Sequence, residues 1–211
     1  MIKIYIARHG ETTWNAEGRI QGRSDPDLSR KGYAQSLGLL EQLRGRSLSA
    51  IYASTLKRSF LTAQPVADHF GLPVQRQSEL DEIAFGMLEG ELLIEFDGAL
   101  KSEWERFRDH RFTYHIPGGE NYTDVANRIR PFMERTLRDH KGQEVLIVGH
   151  RVVNRLLIGM LLEYPLEWVL NIEQTNDCIY LIQKNDEVKV FHNINGKVRE
   201  GLLAVGQEPT L

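Results

Sequence analysis

Two histidines stand in company that suggests chemistry. His9 follows Arg8, precedes Gly10 and Glu11, and has Asn15 shortly after it; His150 follows Gly149 and precedes Arg151. An unperturbed imidazole titrates near 6.5, so at neutral pH it is mostly uncharged and has a nitrogen free for nucleophilic attack. A guanidinium offers a planar fork for two oxyanion oxygens and keeps its charge. Asn15 adds an amide donor, and Gly10 lets the backbone turn away closely and leaves the imidazole exposed. A lone histidine of this kind is usually structural; with these neighbours it reads as a nucleophile in an anion pocket. His69, His110, His115, His140 and His192 show no metal-ligand spacing such as H-E-x-x-H, so neither a metal nor a cofactor is expected.

Strands must carry these residues to one place. Residues 2–7 alternate like a strand and stop at Arg8-His9-Gly10; residues 144–148 form a continuous apolar strand that stops at Gly149-His150. Tyr33, Leu37, Leu40 and Leu43 recur at helical spacing, with Ser29 as N-cap and Gly45 as stop. Further strands are predicted at 50–53 and 73–76, and helices at 55–70 (kinked by Pro65), 92–109, 121–140 (bent by Pro131) and 152–162. Asn121 and Asp124 form a capping-box pattern. Residues 178–183 and 188–192 flank Asn185-Asp186 and read as an antiparallel hairpin, while the tail from Gly201 has no pattern. Alternating strands and helices predict an α/β fold with a mainly parallel sheet. Ligands in such sheets bind beyond the carboxyl ends of the strands, where both histidines fall.

The chain has 211 residues, 41% hydrophobic and 26% charged, a globular composition with enough length for a full core. Its net charge of −3 gives no electrostatic case for a nucleic-acid or membrane-surface partner. One cysteine, Cys178, excludes an internal disulfide and reads as a small buried hydrophobe. The N-terminus lacks a signal-peptide pattern and no apolar run is long enough to span a bilayer, so the expected compartment is the cytoplasm.

The run Ile6-Ala7-Arg8-His9-Gly10-Glu11-Thr12-Thr13-Trp14-Asn15 resembles the signature of the histidine phosphatase superfamily, which includes the cofactor-dependent phosphoglycerate mutases and many small-molecule phosphatases. The resemblance continues in order through Arg19-Ile20-Gln21-Gly22, Asp27-Leu28-Ser29-Arg30-Lys31-Gly32, Tyr52-Ala53-Ser54-Thr55-Leu56-Lys57-Arg58, Leu80-Asp81-Glu82-Ile83, Gly118-Gly119-Glu120 and Val145 to His150. It implies a three-layer sandwich of the phosphoglycerate mutase-like kind, one domain over 1–211, with 88–120 as a lid. It also implies that His9 is the nucleophile that becomes phosphohistidine. Arg8, Arg58 and His150 would hold the phosphoryl oxygens, Asn15, Gln21, Gly22 and Gly149 would line the substrate site, and Glu82 would be the proton donor, with Asp81 beside it as a rival acid.

Two departures bear on substrate. Gly149 and Arg151 replace the residues usual around the second histidine, and Gly86-Met87-Leu88-Glu89-Gly90 differs from the common block. Arg151 opens the helix at 152–162; it either swings into solvent or reaches the pocket mouth to pair with a second anionic group. The expected activity is metal-independent hydrolysis of small phosphate monoesters. A mutase and a non-catalytic binding protein are the alternatives, but the 68 positions from Glu82 to His150 lack the insertion typical of the mutases. The partner is a small phosphorylated metabolite: a phosphoserine, phosphoglycerate, glycosylated phosphoglycerate, sugar phosphate or α-ribazole phosphate. A homodimer through an edge strand is the oligomer considered.

Overall fold

The computed structural model describes residues 1–203, so the end of the tail, 204–211, lies outside the described residues. Seven strands form one sheet in the order β3-β2-β4-β1-β5-β6-β7: β1 (Ile2–Arg8), β2 (Leu48–Ala53), β3 (Val74–Arg76), β4 (Glu144–Gly149), β5 (Cys178–Lys184), β6 (Val188–Ile194) and β7 (Lys197–Glu200). The first four in that order run parallel, and β5 to β7 add antiparallel. The predicted hairpin is thus one strand short. Asn195 and Gly196, both at positive φ, turn the chain into β7, whose four residues are all exposed.

Side chains alternate across the sheet and separate two cores. Ile4, Ile6, Val145 and Ile147 face one side with Tyr122, Val125, Ile129 and Phe132 of α5 (Tyr122–Asp139) and Val153, Leu156 and Leu157 of α6 (Arg151–Leu161). Tyr5, Ala7, Leu146 and Val148 face the other, under α2 (Arg30–Leu43) and α3 (Lys57–Phe70). This is the three-layer arrangement expected. On α2 the buried face is Gly32, Ser36, Leu39 and Leu43, one step round from the predicted stripe. Tyr33 and Leu37 point outward, because Gly32 packs so tightly on the Glu11 backbone that a Cβ would lie 2.0 Å from its carbonyl oxygen.

The short helix α1 (Thr13–Glu17) was not predicted; Thr12 and Asn15 cap it reciprocally. The predicted helix at 92–109 begins only at Gly98 as α4 (Gly98–His110). Its first residues are drawn into backbone bonds with the α1 loop, Ile20 N–H to Glu91 O and Leu93 N–H to Gly18 O.

Candidate active site

β1 and β4 lie side by side with Arg8 opposite Gly149, so His9 and His150 leave the sheet together. Their ring centroids are 5.0 Å apart and both residues are buried. His9 N–H donates to the Gly149 carbonyl at 3.0 Å, which extends the ladder past the strand end. His9 Nδ1 lies 2.8 Å from the Gly10 carbonyl, an acceptor only, so the ring proton sits on Nδ1 and Nε2 keeps its lone pair. Gly10 is required by closeness: a Cβ there would lie 2.5 Å from Gly32 O. Asn176 Nδ2 donates to His9 O at 2.6 Å and completes the mounting.

His150 is held from the other side of its ring. Its Nε2 lies 2.7 Å from Ser54 Oγ, which also accepts Leu56 N–H at 3.3 Å. Among the described contacts the Ser54 hydroxyl has no acceptor other than Nε2; sending its proton there gives it a partner and places the ring proton on Nδ1. Burial drives both imidazoles well below their ordinary pKa, and Arg58 pushes them further down. Both rings are therefore neutral at physiological pH.

Arg58 stands in the first turn of α3, whose own N-cap makes no side-chain bond. Asp25 supplies it: its carboxylate accepts Lys57 N–H at 2.6 Å and Arg58 N–H at 3.4 Å. The Arg58 guanidinium, 1% exposed, donates to Ser24 O at 2.5 Å and Gly22 O at 2.7 Å. Gly22 has φ +52°, and the Glu89 carboxylate occupies the space a Cβ would need. In this structure Gly22 therefore holds Arg58, and Gly149 holds His9 with Asn154 Oδ1 packed 2.3 Å from where its Cβ would be. Both were expected as substrate contacts; in this structure they also serve as close-packed supports. The Oδ1 of Asn15 is spent on Thr12 N–H at 3.1 Å, so Asn15 has its amide NH₂ to offer. Gln21 is half-buried and its Oε1 has no partner.

Glu82 is 8% exposed and follows a short 3-10 turn. Its carboxylate accepts Ile83 N–H at 3.0 Å and Val152 N–H at 3.4 Å, which sets it against the first turn of α6, where His150 is the N-cap. Asp81 faces elsewhere: Thr55 donates its hydroxyl and backbone N–H to it at 2.8 Å. Sequence reasoning missed the residue that fixes this loop. Arg128, from α5, donates to the carbonyls of Glu79 and Asp81 at 2.6 Å and of Glu82 at 3.2 Å, and pairs with Glu120 at 2.9 Å.

Arg151 does not swing into solvent. Its Nη2 lies 3.0 Å from Glu173 Oε2, a carboxylate it shares with Arg155 at 3.1 Å, and its side chain is 13% exposed. The next residue, Gln174, accepts Arg8 Nη1 on its carbonyl at 3.4 Å, and its side chain ties Ile6 O, Cys178 O and Asn154 together. One short segment, residues 173–176, thus carries contacts to Arg8, His9 and Arg151. Burial, and then the nearby Arg151 charge, lower the Arg8 pKa to about 10, so it is still protonated at neutral pH.

Among the described residues, every buried guanidinium or imidazole nitrogen without a partner belongs to one of four residues: Arg8 Nε, Arg58 Nε, His150 Nδ1 and Arg151 Nε. Unmet buried donors each cost about 1–3 kcal/mol, and a group of them such as this is suited to an anion. A Phe85–Gly119 bridge ties the end of the segment 88–120 to the residues just before it, and Phe96, Trp104, Phe107 and Phe112 of this segment pack with Phe85 and Tyr122. Arg106 and Arg108 on α4 are exposed and paired with Glu103 and Asp109, and Arg111 lies over the Tyr122 ring.

Residues 4–197 match the family model of the histidine phosphatase superfamily, branch 1. The chain belongs to that family. Phosphoserine phosphatase 1 of Hydrogenobacter thermophilus is 32% identical over 195 residues, 92% of each chain. A probable phosphoglycerate mutase, GpmB, of Salmonella choleraesuis is 34% identical over 172 residues, 78% of this chain and 77% of the other. The solved structure of a putative alpha-ribazole-5'-P phosphatase from Escherichia coli superposes with a TM-score of 0.83 at 26% identity and covers 98% of this chain and 99% of its own. Within the family the chain is a phosphoric monoester hydrolase. No helix among the described residues is long and apolar enough to cross a membrane.

Proposed function

We propose that this histidine phosphatase hydrolyses small organic phosphate monoesters through a phosphohistidine on His9, without a metal. The observation that carries the reading is the pair of tethered rings: His9 Nδ1 at 2.8 Å from the Gly10 carbonyl, which leaves Nε2 unprotonated, and His150 Nε2 at 2.7 Å from Ser54 Oγ. His9 Nε2 attacks phosphorus and the bond to the alkoxide breaks. Arg8, Arg58 and His150 take the charge on the phosphoryl oxygens, the main demand of this transition state. Glu82, protonated at the start, gives its proton to the leaving alkoxide. It then takes a proton from the water that cleaves the phosphorus–nitrogen bond, releasing inorganic phosphate and returning both residues to their starting states. Asn15 and Gln21 face the phosphate or its near surroundings, and residues 88–120 cover the pocket.

The candidate substrates are small phosphorylated metabolites such as the phosphoserine and α-ribazole phosphate named for the relatives above. The test is acid-quenched labelling with a phosphoryl donor: an acid-labile phosphoryl group should map to His9, with phosphate release unchanged by EDTA. Loss of turnover on chelation, restored by one divalent ion, overturns the metal-free mechanism. Interconversion of 2- and 3-phosphoglycerate without phosphate release makes the protein a mutase, as the name of the Salmonella relative suggests. An unlabelled His9 with no turnover makes it a binding protein.

A further inference from the structure

Arg151 belongs to the site in a way that the phosphoryl chemistry does not use. Arg8, Arg58 and His150 suffice to hold a phosphoryl group, yet the fourth residue with an unmet buried nitrogen is Arg151. It occupies the first position of α6, where a cation works against the helix dipole. A second residue, Glu173, is spent on holding it there. Both Arg151 and Arg155 lean on that one carboxylate, which leaves the trio with one positive charge in surplus. Arg8 and Arg151 hang from adjacent residues, Gln174 O and the Glu173 carboxylate, so the surplus lies beside a phosphoryl-binding guanidinium.

We propose that Arg151 is a specificity-determining residue that binds a second anionic group on the ester, a carboxylate, next to the phosphoryl pocket. The inference rests on the phosphatase reading above and adds the substrate class to it. A carboxylate fits better than a second phosphate because the trio has a single charge to offset and a guanidinium edge matches a planar two-oxygen acceptor. The competing account is structural: the Arg151–Glu173 pair only pins residues 173–176. That account predicts equal losses on every substrate.

Matched pairs that differ only in the carboxylate separate the two: 3-phosphoglycerate against glycerol 3-phosphate, and O-phosphoserine against phosphoethanolamine. In the wild-type protein, kcat/KM should favour the carboxylate-bearing member by about 10- to 100-fold, the range of one charge-assisted contact. Arg151→Gln should reduce that preference by at least about tenfold, and Arg151→Lys should retain part of it. A wild-type protein that hydrolyses both members equally overturns the inference, and so does a variant that keeps the wild-type ratio. If Arg151→Gln does not fold, the wild-type ratio and the Lys variant decide. Failure of the parent reading looks different: no phosphate released from any ester and no label on His9. In that case the ratio of dissociation constants of 3-phosphoglycerate and glycerol 3-phosphate, measured by calorimetry on the wild-type protein, still reads the preference, and equal values overturn it.

Discussion

At the end of β1 the imidazole is tied through Nδ1 to the carbonyl of the very next residue; at the end of β4 it is tied through Nε2 to Ser54, which follows another strand. The two strand ends are neighbours in register and place the same side chain in similar burial. The difference lies in the tether. A backbone carbonyl only accepts, so it dictates one tautomer and leaves His9 with an unprotonated Nε2. A hydroxyl donates or accepts, so the state of His150 depends on where the Ser54 proton goes, and among the described contacts its one acceptor is His150 Nε2. Two identical residues on equivalent strand ends thus differ through their partners alone, in the way the proposed nucleophile and donor roles require.

The strongest way to break this comparison is to remove the ring at the end of β1. His9→Ala should abolish turnover and the acid-labile phosphoenzyme together, since the covalent bond forms on that ring. A variant that turns over at a tenth of the wild-type rate removes His9 from the role. Glu82→Gln comes next. It should cost about 10²- to 10⁴-fold on alkyl phosphates and much less on p-nitrophenyl phosphate, whose leaving group needs little protonation. Equal losses on both substrates in the phosphorylation step would take the acid role away from Glu82. Asp81→Asn should also lower activity, because Asp81 anchors Thr55, one residue from Ser54; its losses should be independent of leaving group.

Ser54→Ala sharpens the comparison rather than breaking it. Both rings remain, but His150 loses the partner that sets its tautomer. We expect a loss of about tenfold in kcat/KM, less than the 10²- to 10³-fold typical when an oxyanion donor is deleted outright. Ser54→Thr, which keeps the hydroxyl, should recover most of it. A Ser54→Ala protein with wild-type kinetics would mean that the hydroxyl does not select the His150 tautomer.

How much of this was legible follows the reach of each interaction. Arg8, His9 and His150 sit where strand periodicity stops, a local pattern, and the structure sets both histidines side by side. Arg58 and Glu82 have no such pattern; only the ordered family blocks single them out. Gly22 and Gly149 were visible as positions but not in what they do, because the groups that crowd them, Glu89 and Asn154, come from elsewhere in the chain or from the next helix. Residues 173–176 lie past the last resembling block, and their contacts reach back some 166 positions to Arg8, with no signal in residue type to announce them. Arg151 shows the limit of reasoning about one helix end: the unfavourable cation was visible, and Glu173, which offsets it, was not. The strand β7 escaped the predicted hairpin although Asn195-Gly196 is a strong turn pair.

The smallest effect is one of stability, and it tests whether both strand ends bury a neutral ring. In the folded protein the pKa values of His9 and His150 lie well below 6.5, mainly through burial and then through Arg58. The unfolded chain protonates both near 6.5, so below that pH it binds more protons than the folded one. Stability from these groups is therefore fully present above pH 6.5 and is lost as pH falls toward the folded values. Each ring should contribute a slope approaching about 1.4 kcal/mol per pH unit in that window. Denaturant midpoints measured from pH 7.5 down to 5 should fall accordingly, and His9→Ala and His150→Ala should each remove roughly half of the histidine part of the slope. Carboxylates lose their contribution at lower pH and are common to all three proteins, so the difference between proteins isolates the rings. If the slopes coincide, these histidines titrate alike in the folded and unfolded chains. The equal burial on which the comparison of the two strand ends depends would then be wrong.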